Sequence, residues 1–329
     1  ETQLLELSPQ QRTQLLESAD VVIGAGLFGA VVSELVANLS QSGKVKNILV
    51  FNSDHRLVRL SRHNGVPIFS DDKQVETLSA MPPEQALSIW LESMLDQYPD
   101  QAPWLIARSY WQGGGEENLQ QMFVWIAQHY DLESELVAKG AIAQAQLRWW
   151  FRGELSEAMP AIDDEKPLVA ILDHAGGDRP GDANLLNQLC AAAEQKHLQC
   201  LVGLAYWGDA TIDALRKLRT QANNLTAVIM LQDFVMGGGE GREKANEQLT
   251  LLNVPILKAI KLRDRTATQW QLSSDGLAVE KVYYQIAMPE MQGASQPLVV
   301  ATAGAVTEDV QTGIGIQPIE PVLEGLENL

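Results

Sequence analysis

The sequence predicts an α/β protein built from two Rossmann-like or flavodoxin-like domains with mainly parallel sheets and a helical segment between them. Short apolar runs bounded by turn residues recur along the chain, and helical patterns separate them at a spacing of roughly 30 residues. In the second half these runs are continuous rather than alternating, which is typical of parallel strands covered on both faces. A chain of 329 residues is also long enough for two domains, each with its own core.

Residues 1–152 are predicted to form an N-terminal α/β domain with a helical extension. A short buried strand, a glycine-containing turn and a helix follow one another at the start of this domain, and two further apolar runs come next. After Pro83 the pattern becomes helical, with apolar residues three and four positions apart. The predicted strands are 20–23, 47–51 and 65–69, and the predicted helices are 27–39, 84–98, 117–130 and 136–152.

Residues 153–166 are predicted to be a linker because they contain prolines and aspartates and lack periodicity. Residues 167–329 are predicted to form a doubly wound domain, in which Asp182 is the N-cap of the first helix. Four strands are expected to lie side by side in a parallel sheet: 167–172, 199–205, 225–231 and 255–260. The residues expected to be buried in that sheet are Leu168, Ile171, Val202, Val228, Met230 and Ile256.

Composition argues against several classes of function. The net charge of −18 repels phosphate backbones, so nucleic acid is not an expected partner. There is no apolar run of the length that a membrane span requires. Cys190 and Cys200 are the only cysteines, and their spacing matches no metal or redox motif. We expect two buried free thiols, and hence a reducing compartment, the cytoplasm.

The glycine loop Gly24, Gly26 and Gly29 follows a strand and opens a helix, as in dinucleotide-binding folds. Those folds also need an acidic residue at the end of the second strand to hold the ribose. Here that position is Asn52, and Asp54 comes two residues later. We therefore predict a structural turn without a cofactor. An NAD-dependent oxidoreductase that uses this loop stays an alternative, and so does a non-catalytic binder that closes two domains on a small molecule.

Several short strings, in this order, carry a resemblance to a known family. They are Tyr110-Trp111-Gln112-Gly113-Gly114-Gly115-Glu116-Glu117-Asn118-Leu119, Leu252-Asn253-Val254-Pro255-Ile256-Leu257-Lys258-Ala259-Ile260, Trp270, Asp275-Gly276-Leu277 and Ile286-Ala287-Met288-Pro289-Glu290. Together they resemble the large subunit of cobaltochelatase (CobN) and the related H subunit of magnesium chelatase.

This resemblance implies a ligase that binds a tetrapyrrole, in cobalamin biosynthesis or a related pathway, and inserts a divalent metal, cobalt or magnesium. It implies ATPase partner subunits of the AAA+ type, which would use the ATP, and no cofactor bound by this chain itself. Because family members are much longer and this chain begins with Glu1, we expect an N-terminal portion that is inactive alone.

Polar residues at predicted strand ends are the candidate site residues, because ligands of open α/β sheets bind at the carboxyl ends of strands. Asp173 and His174 are candidate metal ligands, with Asp178 and Asp182 in the same loop. This loop departs from the family pattern. The candidates for binding the tetrapyrrole are the carboxylate-pairing Arg263 and Arg265, the stacking Trp111, and Gly238 with its exposed backbone amide.

Overall fold

A computed structural model describes residues 7–27, 29–41, 44–80, 87–130, 132, 135–143, 145–175, 181–206, 208–274, 276–308, 310 and 315–329. The chain divides into an N-terminal unit, Glu1–Gln144, and a C-terminal unit, Ala145–Leu329. The prediction of an α/β protein is confirmed for the chain as a whole, and the large sheet of the C-terminal unit is mainly parallel. The division between the units lies before the predicted linker 153–166.

The N-terminal unit contains a four-stranded sheet and seven α-helices within the described residues. Its strands are β1 (Val22–Ala25), β2 (Ile48–Phe51), β3 (Arg62–His63) and β4 (Val66–Pro67). Its helices are α1 (Pro9–Ser18), α2 (Ala30–Gln41), α3 (His55–Val58), α4 (Asp72–Ala80), α5 (Leu87–Gln97), α6 (Ala102–Gly113) and α7 (Gly115–His129), with a 3₁₀ turn at Pro99–Gln101.

Only β1 and β2 run parallel in this sheet, whereas β3 and β4 form an antiparallel hairpin on its edge. The predicted third strand, 65–69, is therefore the second arm of that hairpin. Asn64 and Gly65 both have positive φ angles, which places the tight turn between its arms. Pro67 is tolerated there because it lies on an edge strand.

Trp104 anchors the helices of the N-terminal unit on its sheet. Its side chain is fully buried, and its indole nitrogen donates to the carbonyl of Val50 at 2.7 Å. The ring also makes an edge contact with Phe69 at 5.1 Å. A buried tryptophan with a satisfied N–H packs a large apolar surface between the helices and the sheet.

The predicted helix 136–152 is wrong. Residues 135–143 are irregular, and Leu147–Phe151 forms strand β5, which pairs with β6 (Glu154–Ser156). Leu147 and Trp149 are buried while Trp150 is only partly so, which is the two-residue period of a strand. Adjacent aromatic residues favour the pleated surface of a sheet over a helix. Part of the predicted linker is therefore a strand of the C-terminal sheet.

The C-terminal unit is organised around one large sheet. After β5 and β6 its strands are β7 (Leu168–His174), β8 (Gln199–Ala205), β9 (Leu225–Met230), β10 (Ile256–Thr266), β11 (Ala294–Ala303), β12 (Thr307–Glu308), β13 (Gly315–Ile316) and β14 (Ile319–Pro321). Its helices are α8 (Asp182–Gln195), α9 (Asp209–Gln221), α10 (Gly238–Leu252), α11 (Ala267–Leu272), α12 (Val279–Val282), α13 (Met288–Glu290) and α14 (Leu323–Asn328), with a π-helical turn at Tyr283–Ala287.

The strand order of this sheet is β14-β11-β10-β9-β7-β8-β5-β6. The five strands from β11 to β8 are parallel, and counted along the chain they stand in the order 2-1-3-4-5 when read from β8. That order is one of the two common doubly wound arrangements, the one seen in flavodoxins. The predicted parallel sheet is confirmed, and all six residues expected in its core are buried.

Helices cover both faces of the C-terminal sheet, as continuous apolar strands require. One face packs against Leu185 and Leu189 of α8 and Leu326 of α14. The other face packs against Leu215 of α9 and Leu249 of α10. Each parallel strand therefore ends at an edge where the loops leading to the helices meet.

The expectation of two free thiols is wrong. Cys190 on α8 and Cys200 on β8 form a disulfide, with their Cα atoms 5.2 Å apart. Both residues are buried in the core between the helix and the strand. A helix packed directly on the next strand brings positions ten residues apart to disulfide distance, which spacing alone does not reveal.

Candidate functional site

The carboxyl edge of the C-terminal sheet carries a network of buried charges. Asp173, at the end of β7, is almost fully buried, and both of its carboxylate oxygens accept from Lys261 Nζ, at 2.7 and 2.8 Å. Lys261 also lies 3.8 Å from Asp182, in the first turn of α8. The guanidinium of Arg263 donates to the same Asp182 carboxylate at 2.6 Å.

The length of β10 explains how this network forms. Strand β9 lies between β7 and β10 and ends at Met230, opposite Lys258, whereas β10 continues to Thr266. Beyond the end of β9, a long side chain on β10 reaches across to β7. Lys261 spans that gap to Asp173, so the two charges meet above the truncated strand.

Lys258 is a second buried cation at this edge, with only 1% of its surface exposed. Its ammonium donates to the carbonyls of Gln232 at 2.8 Å, Ala259 at 3.0 Å and Met230 at 3.4 Å, and lies 3.8 Å from the Asp233 carboxylate. Burial lowers the pKa of Lys258 to about 8, while the nearby Asp233 opposes that shift. The ammonium thus fastens the loop after β9 to β10.

The pH dependence of stability is expected to report this buried lysine. An unfolded lysine has a pKa of about 10.4, so between about pH 8 and that value the unfolded chain binds more protons than the folded one. The contribution of Lys258 to the free energy of unfolding therefore rises with pH across this window. Urea titrations of the full chain at pH 7.5 and 10 should show a rise that is absent in Lys258→Met and present in the control Lys244→Met, whose lysine is exposed. An equal rise in Lys258→Met would contradict the assignment.

The predicted tetrapyrrole-binding residues have partners within the chain. Arg263 is paired with Asp182, and Arg265 donates to Ser273 Oγ at 3.1 Å and to the Gly276 carbonyl at 2.7 Å. Both arginine side chains remain about a quarter exposed. Asp182 is not the N-cap of α8, because Gly181 holds that position and the Asp182 carboxylate is turned to the cations.

Gly238 and Trp111 lie in different units. Gly238 begins α10 with a φ of +69°, and its amide donates to the carbonyl of Val235. Trp111 belongs to the N-terminal unit, where its ring stacks on Phe51 with centroids 6.4 Å apart. The structure thus brings Arg263 and Arg265 onto one strand and places Trp111 elsewhere.

Comparison with known families shows which protein family the chain belongs to. The family model CobN/magnesium chelatase matches residues 108–329, more than half of the sequence. The chain belongs to the CobN/magnesium chelatase family.

Curated members of this family show the extent of the similarity. The magnesium-chelatase H protein of Cereibacter sphaeroides is 26% identical over 219 residues, covering 61% of this chain and 18% of that relative. Its counterpart from Rhodobacter capsulatus is 23% identical over 294 residues, covering 83% of this chain and 23% of the relative. A solved structure, the catalytic subunit of cobaltochelatase from Mycobacterium tuberculosis, is similar with a TM-score of 0.46 and 17% identity, covering 98% of this chain and 24% of that one. The chain spans less than a quarter of the length of the curated relatives it matches.

Residues 110–119, the first string that carries the CobN resemblance, hold a neighbouring segment in place by hydrogen bonds. Asn118, 1% exposed, donates to the carbonyls of Gly114 at 2.7 Å and Ile142 at 2.6 Å and accepts from the Ile142 amide at 2.9 Å. Tyr110 donates its hydroxyl to the carbonyl of Lys139 at 2.6 Å. The irregular segment 135–143 is thereby tied to the α6–α7 hairpin, so Tyr110 and Asn118 have structural roles within the fold.

The metal-ligand prediction for Asp173 and His174 stays a prediction. Asp173 is the ion-pair partner of Lys261, and its Oδ1 also accepts from the backbone amide of His174 at 2.8 Å. Asp178 lies outside the described residues. Among those that the structure describes, no group of three histidine, cysteine or acidic side chains is arranged to hold a metal ion. A metal at Asp173 would have to displace the Lys261 ammonium.

The glycine loop of the N-terminal unit is held by hydrogen bonds to the end of β2. The Gly26 amide donates to the Asn52 carbonyl, and the Leu27 amide donates to Ser53 Oγ, both at 3.0 Å. Asp54 caps α3 and pairs with Arg56, which holds the pKa of Asp54 down at about 2. Two amides that could face a pyrophosphate thus already donate hydrogen bonds within the chain. This supports the interpretation of the glycine loop as a structural turn.

We expect no dinucleotide binding by this loop. A titration of the chain with NADH, followed by nicotinamide fluorescence, should give no saturable change at micromolar protein. The matched variant Gly26→Val introduces a β-branched residue at a φ of +68° and would destroy any loop built for a pyrophosphate. Saturable NADH binding that Gly26→Val abolishes would contradict the structural interpretation.

Two residues of the charge network were missed by sequence reasoning. Lys258 and Lys261 lie within the string Val254–Ile260 or directly after it, in a run that otherwise reads as a buried strand. A lysine inside such a run is a signal in itself, because a buried charge requires a partner.

Within the described part of the chain, no helix is long and apolar enough to cross a membrane.

Proposed function

We propose that this chain is part of a metal chelatase large subunit and contributes one wall of a cavity that binds a tetrapyrrole for metal insertion. The observation that carries the proposal is the charge cluster at the carboxyl edge of β10. Five cations, Lys258, Lys261, Arg263, Arg265 and Lys281, make ion pairs there with four aspartates, Asp173, Asp182, Asp233 and Asp264. In a chain whose net charge is −18, this cluster stands out as locally basic.

The chemistry of the cluster suits a macrocycle that carries carboxylates. The overall negative field repels such a ligand, so binding requires local cations at a sheet edge where ligands enter. Arg263 and Arg265 are the proposed carboxylate partners because a guanidinium pairs two oxygens at once and both groups are partly exposed. Gly238 supplies a bend in the loop beside the same edge, and Trp111 stays a proposed stacking residue of the N-terminal unit.

The reaction itself is proposed for a larger assembly. The macrocycle is the substrate, a divalent cobalt or magnesium ion is the second substrate, and AAA+ partner subunits hydrolyse ATP. One wall buries only part of a flat ligand, so the affinity of this chain for a tetrapyrrole is weak. Incomplete coordination and positioning leave it without turnover. We favour the chelatase reaction of cobalamin biosynthesis. A cytoplasmic location stays part of the proposal on the family resemblance alone, because the cysteines expected to be free thiols form a disulfide.

Titration with deuteroporphyrin IX, a porphyrin with two carboxylates, tests this proposal. We expect saturable quenching of tryptophan fluorescence, weakened roughly tenfold in Arg263→Ala, the loss expected for one charge-assisted contact. Arg216→Ala is the matched control, because Arg216 is an exposed arginine of α9 that also pairs with an aspartate, Asp213. Equal weakening in both variants, or no binding by the wild type, would refute a specific site at β10.

The isolated chain is expected to insert no metal. Deuteroporphyrin IX is incubated with the chain and with Co²⁺ or Mg²⁺, with and without ATP. Its absorption spectrum should convert from that of the free base to that of the metal complex no faster than in the same mixture without protein. Metal insertion well above that rate by these 329 residues alone would place the complete active site within them.

A further inference from the structure

Three aromatic side chains gather beside the carboxyl edge of β9. Tyr283 and Tyr284, in the π-helical turn, are about half exposed. Their ring centroids lie 5.2 Å apart with an angle of 76° between the planes, so the two rings form a corner. Phe234 extends it, with its ring centroid 5.7 Å from that of Tyr284. We call these three residues the aromatic corner.

The backbone of the aromatic corner is held in two uncommon conformations. Phe234 has a φ of +66°, a left-handed conformation that bulky side chains rarely adopt. Its amide donates to the carbonyl of Tyr284 at 2.8 Å, which joins the strained loop to the π-helical turn Tyr283–Ala287. Strained residues and π-helical turns concentrate at binding sites, because the surrounding fold has to stabilise them. Glycine would fit this position with less strain, yet phenylalanine occupies it.

Polar contacts connect the corner to the charge network. Gln285 donates to the Asp233 carboxylate at 3.1 Å, and Asp233 lies 3.8 Å from the buried Lys258 ammonium. On the other side of the turn, Lys281 pairs with Asp264 at 2.8 Å, next to Arg265. The aromatic corner therefore lies against the carboxyl edge and is bordered by ion pairs, in which Lys281 and Arg265 are the partly exposed cations.

We propose that Phe234, Tyr283 and Tyr284 form a stacking surface for a planar conjugated ring that carries negatively charged groups. One ring of a perpendicular pair offers its face while the other closes the edge, and an aromatic face attracts a flat π-system. Lys281 and Arg265, both partly exposed, are the cations that would pair with anionic substituents on the ring. That the ring is a tetrapyrrole rests on the proposed function, whereas the stacking surface rests on the aromatic corner itself.

The variant Tyr283→Leu/Tyr284→Leu tests the surface because it keeps apolar side chains and removes both π-faces. Two ligands are used: deuteroporphyrin IX and 1,3,6,8-pyrenetetrasulfonate, a planar anion that is not a tetrapyrrole. We expect the double variant to weaken binding of pyrenetetrasulfonate at least about tenfold, in line with the loss of ring stacking. Leu272→Ala is the control, since Leu272 is an exposed apolar residue of the same β10–β11 connection, and it should leave binding unchanged.

Each outcome separates the stacking surface from the proposed function. Tyrosine-dependent binding of pyrenetetrasulfonate without binding of deuteroporphyrin IX would support the surface and count against a tetrapyrrole. No binding of either ring, or equal weakening by Leu272→Ala, would overturn the surface, the latter result indicating a general apolar patch of the kind that docks a protein.

Phe234→Gly provides an independent readout. Glycine adopts a φ of +66° readily, so this variant should unfold at the same or a higher temperature than the wild type. It should nevertheless bind pyrenetetrasulfonate several-fold more weakly, because one aromatic ring is lost. A variant that is less stable than the wild type and binds equally well would show that Phe234 serves packing alone.

Discussion

Replacing Gly181 with alanine is expected to lower the free energy of unfolding of the C-terminal unit by at least about 3 kcal/mol. Gly181 is the N-cap of α8 and has a φ of +92°. A Cβ atom there would overlap the carbonyl oxygen of Ile319 on β14. Because the obstacle is backbone, α8 and β14 would have to separate.

Gly208→Ala is the matched control for this prediction. Gly208 is the N-cap of the next helix, α9, and also has a positive φ, +83°, but a Cβ there meets no atom within 4 Å. Alanine at Gly208 therefore suffers only the penalty of its backbone conformation, φ +83° and ψ −130°, roughly 1–3 kcal/mol. Urea denaturation of the full chain, with midpoints compared at constant m, measures the difference. Equal losses in the two variants would show that the contact with Ile319 relaxes without cost.

The same substitution should disturb the charge network. Asp182 follows Gly181 directly, and its carboxylate lies between Lys261 and Arg263. Moving the start of α8 away from β14 would withdraw that carboxylate from both cations. The stability of the C-terminal unit and the ion pairs at the carboxyl edge therefore both depend on the position of the first turn of α8.

The C-terminal sheet was predictable from the sequence because its signal is local. Runs such as 168–172 and 199–205 are continuously apolar and bounded by turns, so each strand could be located without knowledge of the others. The strand β5 was missed because its pattern, with Trp149 on one face of the sheet and Trp150 on the other, depends on a sheet that forms from distant residues. The disulfide between Cys190 and Cys200 was missed for the same reason.

Only part of the candidate site could be predicted. Strand ends located Asp173 and Arg263, since parallel strands bring their carboxyl ends to one edge. Their partners could not be inferred, because they depend on β9 being shorter than β10 and on α8 starting beside Arg263. A pairing between residues 81 positions apart is a property of the strand order, and no local pattern encodes it.

Breaking the buried pair between Asp173 and Lys261 is the second change with a large expected effect. Lys261→Met leaves the Asp173 carboxylate, 3% exposed, without its cation and should cost about 3–5 kcal/mol. Asp173→Leu should cost less, about 2–3 kcal/mol, because the stranded Lys261 ammonium still has Asp182 at 3.8 Å. Urea denaturation of the full chain measures both losses.

The double variant Asp173→Leu/Lys261→Met decides whether these losses come from the pair. Two apolar residues of similar size need no partner, so the double variant should be more stable than Lys261→Met alone, with a coupling energy of about 2 kcal/mol. Additive losses would mean that the two side chains act independently.

The same variants test the metal prediction. If Asp173 and His174 bind Co²⁺, Lys261→Met frees the Asp173 carboxylate, and CoCl₂ should raise the unfolding temperature of this variant more than that of the wild type. Because Asp173→Leu removes the ligand, it should show no such rise, whereas an equal rise in all variants would place the ion elsewhere.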